Sequence, residues 1–169
     1  MPGSSRKKAL PLLLLFLSLS VLWREAPAQV YGSDNHTVTV TVATITNIQV
    51  SSGSVSLTIT GAGVPAGQDQ MTAVDQTTTL LWGVNSANRK VTVNTNLVSP
   101  LFALKLLALN PTSPGTAAPE VTLSTTPTDF LLNIGRSTGT CSLRYTGVAL
   151  ASQGTGTDTH TITFTVAAQ

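Results

Sequence analysis

One cysteine, Cys141, stands among 169 residues, so no disulfide closes within the chain and a fold framed by cystines is excluded. Charge is equally scarce. Only 9% of positions are Asp, Glu, Lys or Arg, and aromatic residues make up 5%, too few to group into a stacking platform for sugar rings. Two histidines, His36 and His160, leave little from which to build a metal centre or a catalytic triad. No HExxH motif and no glycine-rich phosphate loop occurs. These absences predict a non-enzymatic chain with no catalytic residues, no cofactor and no metal.

There is one long apolar run, Ala9 to Leu22. It follows Arg6, Lys7 and Lys8 and precedes the small residues Ala26-Pro27-Ala28. This order predicts a secretory signal peptide over residues 1–28, with an apolar run too short to span a bilayer stably. The expected destination is extracellular, at the cell surface, with a membrane met only during export. Four of the nine basic residues lie in that leader. The 141 residues beyond it carry five basic and six acidic side chains, a net charge of −1. The isoelectric point of about 9.0 thus belongs to the leader, and no net positive charge remains to recruit nucleic acid.

What the chain does have is threonine: 28 of those 141 residues. Threonine is β-branched and suits pleated surfaces. The pattern is clearest in two near-identical segments, His36-Thr37-Val38-Thr39-Val40-Thr41-Val42 and His160-Thr161-Ile162-Thr163-Phe164-Thr165-Val166. Both alternate hydroxyl and apolar residues with period two, as a half-buried strand does. After Val42 the alternation slips by one residue at Ala43 and returns at Ile48 and Val50. Such a slip swaps the faces of a strand, so His36–Val42 reads as separate from the strand that follows.

Further strand segments fall at Thr44 to Val50, Ser54 to Thr60, Thr77 to Val84, Lys90 to Asn96, Glu120 to Thr125, Thr140 to Tyr145 and Thr159 to Val166. Leu101 to Leu109, apolar on both faces apart from Lys105, fits a central strand or a short helix, and its neighbours favour the strand. Turn chemistry separates them at Ser51–Gly53, Asn85–Asn88 and Gln153–Gly156, and Gly61 to Gly67 reads as a flexible connection. Pro111, Pro114 and Pro119 predict an exposed loop without regular structure until Glu120. The expected fold is all-β, an immunoglobulin-like antiparallel β-sandwich of about eight strands with a detached N-terminal strand. Its parts are a signal peptide at 1–28, an N-terminal arm at 29–43 and a β-sandwich domain at 44–169.

Cys141 shares a strand face with Leu143 and Tyr145 and reads as core, as does Trp82 beside Leu80 and Val84. The six acids beyond the leader stand singly near loops and read as turn-capping or solvated. Asn35-His36-Thr37 is a glycosylation sequon, and the Pro/Ser/Thr bias around Thr112, Ser113 and Thr116 suits O-linked sugar, so covalent glycans are expected partners.

The leader, the detached alternating arm and the expected sandwich together resemble pilin subunits that polymerise by donor-strand complementation. The chain departs from the chaperone-usher pilins in lacking their disulfide. The stretches Gly154 to Val166 and Glu120 to Asp129 also resemble a group of uncharacterised secreted bacterial proteins. The first resemblance implies a structural subunit of an extracellular filament or surface fibre whose partners are copies of itself. Val38, Val40 and Val42 would be the donor strand, and Ile162, Phe164 and Val166 the acceptor edge. The alternative is a monomeric secreted adhesin or carbohydrate-binding module whose N-terminal strand stays in its own sandwich.

Overall fold

Alternation of apolar and hydroxyl residues becomes, in the computed structural model, an all-β fold of antiparallel sheets. The structure describes residues 34–169 apart from Ser52, Ala62, Gly63 and Ser113. The expected signal peptide at 1–28 and the start of the arm, 29–33, lie outside the described residues. The chain divides into two units, Met1–Thr41 and Val42–Gln169, and every strand among the described residues belongs to the second.

Among the described residues there are nine strands: β1 (Thr46–Val50), β2 (Gln70–Val84), β3 (Arg89–Thr95), β4 (Ala103–Leu109), β5 (Thr116–Ala117), β6 (Val121–Thr122), β7 (Thr128–Ile134), β8 (Ser137–Leu150) and β9 (Ile162–Ala168). One sheet has the order β1-β2-β8-β4-β6 and the other β5-β7-β3-β9. Alternate residues of each strand point inward. Leu80, Trp82 and Val84 of β2, Leu106 of β4 and Cys141, Leu143 and Tyr145 of β8 meet Val91 and Val93 of β3 and Phe130 and Ile134 of β7 in one core. The ring of Phe130 lies 5.6 Å from that of Phe164 on β9 at a tilt of 58°, a geometry that adds about 0.5–1.5 kcal/mol beyond area burial.

The Asn85–Asn88 turn forms as expected, with Asn88 in the left-handed region (φ 55°) that asparagine tolerates. It joins β2 to β3, which lie in different sheets, so it is a crossover and not a hairpin. A register shift between Asp75 and Thr78 interrupts the long β2–β8 ladder. There the Asp75 carboxylate accepts from the Thr77 backbone N–H at 3.1 Å and from its hydroxyl at 3.0 Å, closing a local turn inside the strand.

Three expectations need correction. Ser54 to Thr60 joins neither sheet, although Val55, Leu57 and Ile59 are half-buried in alternation. Ser51 N–H donates to Thr79 O, and further along Leu57 packs over Gly147. The proline-rich stretch does hold regular structure before Glu120. Thr116 and Ala117 pair with Leu132 and Leu131, and the Ala118 N–H donates to Phe130 O at 3.0 Å. Only Val121 and Thr122 of the expected Glu120–Thr125 strand are a strand, because Leu123 and Ser124 cross between the sheets, bonding Leu104 O and the Thr95 N–H.

Candidate functional site

The two flanks of the paired sheets differ. On one flank the edge strands are β5 and β6, two residues each; on the other they are β9, with seven residues, and β1, with five. Short edges blunt the tendency of a sheet to add strands, whereas a long flat edge invites it. β1 and β9 also lie close to each other, although they belong to different sheets.

Which backbone groups these edges leave open follows from the ladder register. Asn96 N–H donates to Thr161 O at 3.1 Å, and Gln169 N–H donates to Asn88 O at 2.9 Å, one step beyond each end of the β3–β9 pairing. Bonded pairs alternate along an antiparallel ladder. The bonded partners are therefore Lys90 with Ala167, Thr92 with Thr165 and Asn94 with Thr163. Ile162, Phe164, Val166 and Ala168 turn their N–H and C=O away from β3. The same reasoning applies to β1, where Ser51 N–H donates to Thr79 O and Asn85 N–H to Ile45 O. Thr46, Ile48 and Val50 carry its outward groups.

At both edges the outward backbone groups come largely from residues whose side chains turn inward. Ile48 and Val50 of β1 and Ile162, Phe164 and Val166 of β9 are all half-buried and packed on the core. The three residues read from the sequence as an acceptor edge thus lie on a strand that is an edge strand among the described residues. Val38, Val40 and Val42 belong to no sheet and are 71%, 82% and 69% exposed. Alternate valines with that exposure are unusual for an apolar residue type.

Other singled-out residues serve local structure. Asp158 accepts from Phe102 N–H at 2.7 Å, Asp69 accepts from Ala151 N–H at 3.1 Å, and Asp129 pairs with Lys90 at 2.7 Å. Glu120 stands between Arg144 at 3.1 Å and Lys105 at 4.0 Å. The His160 ring lies 3.1 Å from the Thr95 hydroxyl, and partial burial lowers its pKa while Asp158 pulls it the other way. Burial pushes the Cys141 thiol up to about 11. Among the described residues no group of three or more His, Cys, Asp and Glu side chains is placed to hold a metal ion. A depression of about 260 Å³ is lined by Ala87, Asn88, Asn133, Ile134, Gly135 and Gln169, none of them a side chain that titrates near neutral pH.

The candidate sugar positions differ from one another. Asn35 is exposed. Thr112 is held down, its hydroxyl accepting from Thr140 N–H at 2.9 Å, and the Thr116 hydroxyl accepts from Asn133 at 3.4 Å. Ser113 lies outside the described residues. Gly135-Arg136-Ser137-Thr138-Gly139 has the G-x-S-x-G spacing of a nucleophile elbow. That elbow needs a strand-to-helix turn. Here the motif joins β7 to β8, and the Ser137 hydroxyl donates to Gly135 O at 3.4 Å. No protein-family model, curated protein or solved structure matches the chain.

Proposed function

We propose that this protein is a non-enzymatic, extracellular structural subunit that polymerises by strand donation. Each copy lends its arm, Val38, Val40 and Val42, to complete an immunoglobulin-like β-sandwich in the next copy along β9. The observation that carries the reading is the β9 edge, unpaired on its outer side among the described residues, with the backbone of Ile162, Phe164, Val166 and Ala168 turned away from β3. The exposed alternating valines of the arm are its complement. A strand added there gains main-chain hydrogen bonds along the edge and cover for its side chains. Burying three valines contributes on the order of 5–9 kcal/mol, at about 1.5–3 kcal/mol each, before the cost of ordering the arm.

An interface between two different surfaces need not close on itself, so it propagates. Negative-stain electron microscopy of the wild-type chain should show fibres, and the triple variant Val38→Ser, Val40→Ser, Val42→Ser should show none. Fibres unchanged by the triple variant sink the reading. A monomer mass independent of concentration favours the adhesin or carbohydrate-binding alternative, and a discrete dimer points to β9 pairing with β9 across a two-fold axis.

A further inference from the structure

Asn85 follows β2 and holds the last residue of the arm, Ala43, and Ile45 beyond it by three bonds. Its side-chain Nδ2 donates to Ala43 O at 2.7 Å and its Oδ1 accepts from Ile45 N–H at 2.8 Å. Its own backbone N–H donates to Ile45 O at 3.2 Å. One amide therefore meets an acceptor and a donor two residues apart, which asparagine does and aspartate, with no donor, does not. The next residue, Thr46, opens the β1 ladder against Val84. One residue before the clamp, Val42 is 69% exposed. The boundary between held and unheld chain thus falls between Val42 and Ala43, where the sequence alternation also slips.

We propose that Asn85 is a positioning residue for strand donation: it clamps the root of the arm, so that donation begins at Val42. This rests on the strand-donation reading above. A strand whose root is already ordered loses less freedom on docking, and that is the physical source of the effect. Asn85 acts on the donor's own chain and not on the edge that receives a strand.

The test measures the critical concentration for fibre formation by sedimentation for the wild-type chain, Asn85→Ala and Asn85→Asp. Asn85→Ala should raise it roughly three- to tenfold, the size of about one net hydrogen bond. Asn85→Asp, which keeps the acceptor toward Ile45 but loses the donor toward Ala43, should fall between. A synthetic peptide of residues 36–42 should bind equally well to full-length chains with and without Asn85→Ala, both carrying the triple arm substitution to silence their own arms. Wild-type fibres with an unchanged critical concentration in Asn85→Ala overturn the clamp and leave strand donation standing. Peptide binding weakened by Asn85→Ala also overturns it, since Asn85 would then belong to the receiving edge. Absence of both wild-type fibres and peptide binding overturns strand donation and the clamp with it.

Discussion

Trp82 faces Gly139 across the β2–β8 ladder, and its indole ring fills the space that a Cβ at position 139 would occupy. The glycine is required by that close approach, since any side chain there would overlap the ring and the Thr112 hydroxyl. Gly139→Ala should destabilise the fold by about 1–3 kcal/mol, read as a drop of several degrees in melting temperature. Gly83→Ala is the control. A Cβ there meets only Thr138 Cγ2 at 3.7 Å, and the melting temperature should hold.

Proline substitution tests the direction of the β9 backbone groups. The Thr165 N–H belongs to the bonded series toward β3, and the Val166 N–H points away. Proline removes the donor in either case. Thr165→Pro should lose about 1–3 kcal/mol more stability than Val166→Pro, because it leaves the Thr92 carbonyl unmet. Equal unfolding midpoints in urea would show the assigned alternation to be wrong.

Acid should weaken the fold through His160. Its folded-state pKa lies below the ordinary 6.5 because burial disfavours the charged ring. A depressed pKa means that the stabilising contribution is full above 6.5 and is lost as the pH falls through the lower folded value. The melting temperature should therefore decline on acidification below 6.5. His160→Gln should flatten that part of the profile, and an unchanged slope would remove His160 as its source.

Cys141 is 2% exposed, with its thiol pushed up to about 11. At pH 8 the thiol is neutral and out of reach, so native protein should resist alkylation by iodoacetamide. Unfolding in guanidinium should make it react at once. Stoichiometric labelling of native protein, followed by mass spectrometry, would contradict its place in the core.

Strand alternation carried most of the architecture into view. Thr44 to Val50, Lys90 to Asn96 and Thr159 to Val166 each fall within a few residues of β1, β3 and β9, and Cys141 and Trp82 are core residues as read. β7 was missed because Phe130 and Leu131 are both buried, which breaks period two at the β3–β7 register shifts. Ser54–Thr60 misled in the opposite way. Its alternation reflects packing on a sheet face, and periodicity does not reveal whether a ladder partner exists. The outward backbone of β9 was legible only once the register with β3 was known, since bond direction depends on the partner strand. Asn85 gave only a turn signal, because its partners Ala43 and Ile45 lie some forty residues earlier in the chain.

The unequal flanks have a consequence for growth. With β5 and β6 reduced to two residues each, the two longer edge strands among the described residues, β1 and β9, lie on a single side. Under the proposed strand donation, a subunit with one acceptor edge and one strand to lend would have a valence of two, and its assemblies would lengthen without branching. Mass per unit length then stays constant as total mass rises. A chain that has received a strand but cannot lend one terminates the row, so a small fraction of arm-deficient copies would set the length distribution.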